Sequence, residues 1–213
     1  MSLRRFRTTL PASFTVSQFG QNHNASHCNA VKRIFKYLAG TTELGVTYGT
    51  TDVGLIGYTD ADWGGCRDTR KSTGANLFLL YGGPISWCSK RQQTVALSST
   101  ESEYMAETQA TKEAIWLRRF LSEIGVFSDD DTVVIRADNR GAMDLARNPE
   151  FHARTKHIDI QYHFVREAVD CGLVDFEFVP TSEQAADGLT KPLPAVKFTR
   201  FLIQSGLLAS TAW

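Results

Sequence analysis

Near residue 98 the spacing of apolar residues changes from that of strands to that of a helix, and few folds accommodate both halves. Upstream, from about 44 to 97, apolar residues come in short runs closed by glycine. Leu44–Tyr48 is one run, and Leu55–Asp60 is another that leads into Trp63-Gly64-Gly65. Ala75–Tyr81 ends at Gly82-Gly83-Pro84, and Ile85–Cys88 follows. Such runs with tight turns predict a meander of antiparallel strands, with Thr94–Leu97 as one more short strand.

Downstream, Ser98-Ser99-Thr100 precedes a helical pattern that reaches Ile124 and stops at Gly125. Thr100 and Glu103 have the spacing of a capping box. A β-branched run, Thr132–Ala137, predicts a further strand. Helices are expected at 139–147, from Lys156 to Val169, from Glu183 to Leu189 and from Ala195 to Leu207, with a strand at Leu173–Val179. A meander followed by alternating helices and strands is an α/β layered domain with a mixed sheet.

The chain has 213 residues and no net charge, but the charge is unevenly placed. Residues 1–50 carry six Lys or Arg against Glu43 alone, and residues 51–213 carry 17 basic and 22 acidic residues. That split separates a basic N-terminal segment, 1–50, from an acidic domain, 51–213. Within the first, 22–39 predicts an amphipathic helix. Val31, Ile34, Phe35 and Leu38 form its stripe, while Lys32, Arg33 and Lys36 lie off it, as a phosphate-contacting face or a solvated one. No apolar run is long enough to span a membrane, and no stretch has signal-peptide form, which predicts a protein that is not secreted. Cys28, Cys66, Cys88 and Cys171 form no C-x-x-C pair, against a zinc knuckle and in keeping with a reducing compartment.

Four acids stand where packing does not ask for them. Asp60 and Asp138 close apolar strands, Glu103 lies in the first turn of the long helix, and Asp187 lies in a short helix after the last strand. If the two strands are neighbours, the four carboxylates meet at one sheet edge, where α/β sheets place ligands. Carboxylates held together repel unless cations share the site, and Mg²⁺ suits a few carboxylates plus a substrate phosphate. The implied chemistry is metal-assisted phosphodiester hydrolysis with two ions roughly 4 Å apart. Each acid also has a plainer role: Asp60 as turn former, Glu103 as capping partner of Thr100, Asp138 as cap of the next helix, Asp187 as an exposed helical acid.

Six motifs then occur in order: Thr59-Asp60-Ala61-Asp62-Trp63, Arg70-Lys71-Ser72-Thr73-Gly74, Ser98-Ser99-Thr100-Glu101-Ser102-Glu103-Tyr104, Ala137-Asp138-Asn139, Arg154-Thr155-Lys156-His157-Ile158 and Ala186-Asp187-Gly188-Leu189-Thr190-Lys191-Pro192-Leu193. Over about 54–205 they resemble the ribonuclease H domain of copia-type LTR retrotransposon polyproteins. Residues 13–40 resemble the tail of the preceding reverse transcriptase, most clearly at Ala30–Leu38. The resemblance implies a ribonuclease H-like three-layer fold, a five-stranded mixed sheet flanked by helices. It implies two Mg²⁺ (or Mn²⁺) ions on Asp60, Glu103, Asp138 and Asp187, and cleavage of the RNA strand of an RNA–DNA hybrid during reverse transcription. It also implies contact with the polymerase region, and a cytoplasmic, virus-like-particle or nuclear location.

Asp62 is the runner-up ligand, because strand alternation turns it the same way as Asp60. Glu101 and Glu103 cannot both face the site, being about 200° apart around a helix. His157 lies in the interval where nucleases of this superfamily have a histidine that helps product leave; His152 and His163 compete for that role. Basic and hydroxyl groups at Arg70, Lys71, Ser72, Thr73, Lys90 and Arg91, with Asn139 and Arg140, suit contact with RNA 2′-hydroxyls and DNA phosphates, or are solvated turns. Two positions depart from the family pattern: Arg140 stands where a glutamine is expected and Cys28 where a tryptophan is. The alternatives to an active nuclease are a catalytically impaired hybrid-binding or docking module, and a nuclease of the superfamily that acts on DNA.

Overall fold

The computed structural model describes residues 16–49, 51–147 and 156–209, and for 156–160 the backbone alone. In chain order the elements are α1 (Ala25–Gly40), β1 (Leu44–Val46), β2 (Leu55–Ala61), β3 (Thr73–Leu80), β4 (Gly83–Arg91), α2 (Ser99–Glu123), β5 (Val133–Ala137), α3 (Arg140–Arg147), α4 (Lys156–Asp170), β6 (Val174–Phe178), a 3₁₀ turn (Thr181–Glu183), α5 (Asp187–Thr190), α6 (Ala195–Gln204) and β7 (Leu207–Ala209).

Five strands form one mixed sheet in the order β4-β3-β2-β5-β6. The β2–β3 and β3–β4 pairs are antiparallel, and β5 joins β2, and β6 joins β5, in parallel. The meander ends at β4, so the chain must cross over the sheet to reach β5, and α2 is that crossover. Strand alternation divides the core. Phe78, Ile135, Val133 and Phe176 face Ala110, Ala114, Leu117 and Val165 of α2 and α4. Ile56, Ala75, Leu77 and Leu79 face Leu189 and Phe201 of α5 and α6 on the other side. This three-layer arrangement is the ribonuclease H-like fold that the motifs imply.

Several local expectations are corrected. Thr94–Leu97 is not a strand: the Ala96 carbonyl accepts from Trp63 Nε1 and the Leu97 N–H donates to Glu101, so side chains take the bonds a ladder would need. The cap of α2 is Ser98, whose hydroxyl accepts from Glu101 N–H; Thr100 and Glu103 do not form the box, and Glu103 is left for other use. The helix expected over 183–189 is split. Gln184 adopts an extended backbone, donates from its side chain to the Thr59 carbonyl and accepts from Ala186 N–H. The split makes Asp187 the first residue of α5. The last helix stops at Gln204, and Leu207–Ala209 forms a strand antiparallel to β1.

The basic helix runs over Ala25–Gly40, capped by Asn24 rather than starting at 22, and Phe35 of its stripe is 65% exposed. Tyr37 meets Phe198 of α6 edge-on, at 5.6 Å between ring centres. No helix among the described residues is long and apolar enough to cross a membrane.

Candidate active site

The parallel pairing of β2 with β5 builds the site. Tyr58 lies opposite Arg136, and two residues further along come Asp60, still in β2, and Asp138, the residue just past β5. Glu103 enters from the first turns of α2. One carboxylate oxygen from each of Asp60, Glu103 and Asp138 lies within 4.8 Å of the others. Asp60 and Glu103 are buried, at 2% and 9% exposure, and Asp138 is half-buried. Two like charges at such a distance repel by roughly 3–4 kcal/mol at an effective dielectric of about 20, so the trio cannot be fully ionised without a cation. Burial pushes Asp60 up to about 7; Lys191 and Thr190 pull it back, and Asp187 and Asp138 add to the rise. Glu103 is pushed up further, by burial first and then by Asp60 and Asp138. Hard oxygen donors in this grouping fit a divalent ion such as Mg²⁺.

Asp187 comes from α5 on the opposite sheet face and stands beside Asp60, outside the trio. It is buried, and Lys191 Nζ lies 2.7 Å from its Oδ1 and 3.8 Å from Asp60 Oδ2. The Thr190 hydroxyl donates to that Asp60 oxygen. The Thr181 hydroxyl donates to Asp138 Oδ2 at 2.7 Å. Burial lowers the Lys191 pKa, but the neighbouring carboxylates more than offset this, and the net shift is upward. Thr181, Gln184, Thr190 and Lys191 were not assigned roles from sequence. A signal existed for two of them, since positions three and four after Asp187 share its side of a helix.

The other candidates are placed as follows. Asp62 points away from the trio into its own turn, accepting from the N–H groups of Thr73 and Gly65. The Glu101 carboxylate takes the Leu97 N–H at 2.7 Å. His152 lies outside the described residues, as does the side chain of His157; His163 is exposed on α4. Ser72 is fully buried and its hydroxyl accepts from Gly64 N–H, whereas Arg70 is exposed and Lys71 and Thr73 are half-buried. Asn139 Oδ1 accepts from Ala142 N–H and so caps α3, the role considered for Asp138. The Arg140 guanidinium sits 4.3 Å from the centre of the Phe178 ring. Lys90 and Arg91 line a cavity of about 660 Å³ between β3, β4 and α2, with Asn76, Gln92 and Lys112. Asn76 Oδ1 and Gln92 Oε1 are buried there with no partner.

No family model matches the chain. Over 183 residues, 86% of its length, it is 48% identical to the retrovirus-related Pol polyprotein from transposon TNT 1-94 of Nicotiana tabacum. Over 195 residues, 91% of its length, it is 40% identical to the corresponding polyprotein from transposon RE2 of Arabidopsis thaliana. The chain spans only 14% and 13% of the lengths of these two relatives. Among solved structures, LC11-RNase H1 isolated from compost is similar with a TM-score of 0.48 and 16% identity, over 64% of this chain and 92% of that one.

Proposed function

The chain belongs to the retrovirus-related Pol polyproteins of copia-type transposons, and on that premise we propose that its α/β domain is a divalent-metal-dependent ribonuclease H. The observation that carries this reading is the meeting of Asp60, Glu103 and Asp138 within 4.8 Å, with Asp187 facing Asp60 across Lys191. The substrate is the RNA strand of an RNA–DNA hybrid made during reverse transcription, in the cytoplasm, a virus-like particle or the nucleus. Residues 1–50 are, on this reading, the end of the polymerase region, which stays a partner of the nuclease domain.

Asp60, Glu103, Asp138 and Asp187 would hold two Mg²⁺ ions, with Mn²⁺ as a substitute. When bound there, the ions supply an activated water on one side of the phosphodiester and charge stabilisation for the leaving oxygen on the other. The chain's own groups prepare that arrangement. Thr181 fixes one Asp138 oxygen, Thr190 fixes one Asp60 oxygen, and Gln184 ties the loop before Asp187 to β2. These bonds hold carboxylates that would otherwise turn away from each other. Lys90 and Arg91, beside the cavity, and Arg70 and Lys71 on the turn after β2 contact phosphates, which makes binding weaken as salt rises. Asn139 and Arg140, at the start of α3, and Thr73 complete the substrate contacts, and His157 aids product release.

Asp138→Asn tests the assignment, because it removes one charge while leaving the side chain's size. We expect Mg²⁺-dependent cleavage of an RNA–DNA hybrid by the wild type, abolished by EDTA, and a loss of at least about a hundredfold in the variant. Unaltered cleavage by Asp138→Asn would overturn the reading. A wild type that binds hybrid but does not cut it would favour the docking module, and equal cutting of duplex DNA would favour the DNA nuclease.

A further inference from the structure

The four acids are not equivalent. Asp60, Glu103 and Asp138 bring one oxygen each into a single group, and Asp187 is outside it. Between Asp187 and Asp60 sits the ammonium of Lys191, 2.7 Å from one and 3.8 Å from the other. Lys191 is the residue after α5, and its position four after Asp187 brings its side chain back over the helix's first residue. Its side chain is 41% exposed, so the stem reaches in from solvent. An ammonium is a compact point charge on a flexible stem. At this spot it neutralises the same two carboxylates that a second divalent ion would need, and its own charge repels that ion.

We propose that Lys191 is a tethered cation filling the second metal position, so that the protein without nucleic acid takes one divalent ion and not two. This rests on the metal-nuclease reading above and adds an order of assembly to it. The first ion goes to Asp60, Glu103 and Asp138, where Lys191 stands off at 3.8 Å from one Asp60 oxygen, against 2.7 Å from Asp187. The second position opens when Lys191 leaves, and the phosphates of an incoming strand are the anions that draw it out. Lys191 is thus a positioning residue, acting through Asp60 and Asp187.

The test is a count of bound Mn²⁺ on the full 213-residue chain without nucleic acid, at fixed pH. Loss of the six-line signal of free Mn²⁺ in electron paramagnetic resonance, carried to millimolar concentration, measures it, with calorimetric titration as a second readout. We expect one ion per wild-type chain and two per chain for Lys191→Met. Lys191→Arg keeps the charge and should stay at one. Lys191→Gln is the second neutral variant, and circular dichroism checks that each variant is folded. Two ions on the wild type, or one on both folded neutral variants, would overturn the proposal while leaving the nuclease reading intact. No ion on the wild type would overturn both.

Discussion

At the scale of single residues, the chemistry of the site is a matter of what surrounds each carboxylate. Asp62 and Glu101 are acids in the same motifs as Asp60 and Glu103, yet their oxygens are committed to backbone N–H groups. The acids that meet in the trio carry the repulsion. Asp60 and Glu103 hold their protons to higher pH in the folded chain than in the unfolded one, because burial and mutual repulsion disfavour the charged forms. The native state therefore binds more protons than the unfolded state above about pH 4, and stability falls as pH rises toward and beyond 7. We expect the melting temperature of the metal-free protein to drop by several degrees between pH 5 and pH 8, and Mg²⁺ to restore it mainly at the higher pH. Glu103→Gln should flatten that profile and remove most of the Mg²⁺ effect, as thermal melts across pH would show; a Glu103→Gln profile as steep as the wild type's would refute the cause given.

At the scale of elements, the four-residue α5 has too few internal bonds to stand alone, so its placement comes from packing. Gly188 lies against Phe201 of α6, which is 2% exposed, and a methyl group there would meet the ring at 2.5 Å. Gly188→Ala should therefore force α5 and α6 apart. Overpacking of this kind costs about 1–3 kcal/mol, which in a chain of this size is roughly 2–10 °C of melting temperature. An unchanged melt would mean that the ring yields freely. The strands were legible from runs of apolar and β-branched residues closed by glycine, and the long helix from its spacing. The breakdown at 183–189 was not, because the bond that splits it joins Gln184 to the carbonyl of Thr59, far away in sequence. β7 was missed for the same reason: its three residues are a strand only because β1 lies beside them.

At the scale of the whole molecule, residues on either side of position 50 are tied together. β1 pairs with β7, Tyr48 donates to the Pro84 carbonyl at 3.1 Å, and Tyr37 meets Phe198. Gly206 makes the turn into β7. Its φ is +67°, and a Cβ there would lie 2.3 Å from the Gly82 carbonyl oxygen, backbone that cannot move aside cheaply. Gly206→Ala should detach β7 from β1. We expect faster limited proteolysis on the N-terminal side of Leu55, with the five-stranded sheet still folded by circular dichroism; unchanged cleavage would show that β1 is held by other contacts.

Strand and helix periods, the order of elements and the identity of Asp60, Glu103, Asp138 and Asp187 as the acids to watch all follow from local spacing, because backbone geometry imposes periods of 2.0 and 3.6 on any chain that buries one side. Which acids meet does not follow from spacing. The trio forms because β5 pairs with β2 rather than with another strand, and Asp187 heads a short helix of its own because Gln184 breaks the expected one by bonding to Thr59 of β2. Those are contacts between residues dozens of positions apart, and no local pattern carries information about a partner that distant.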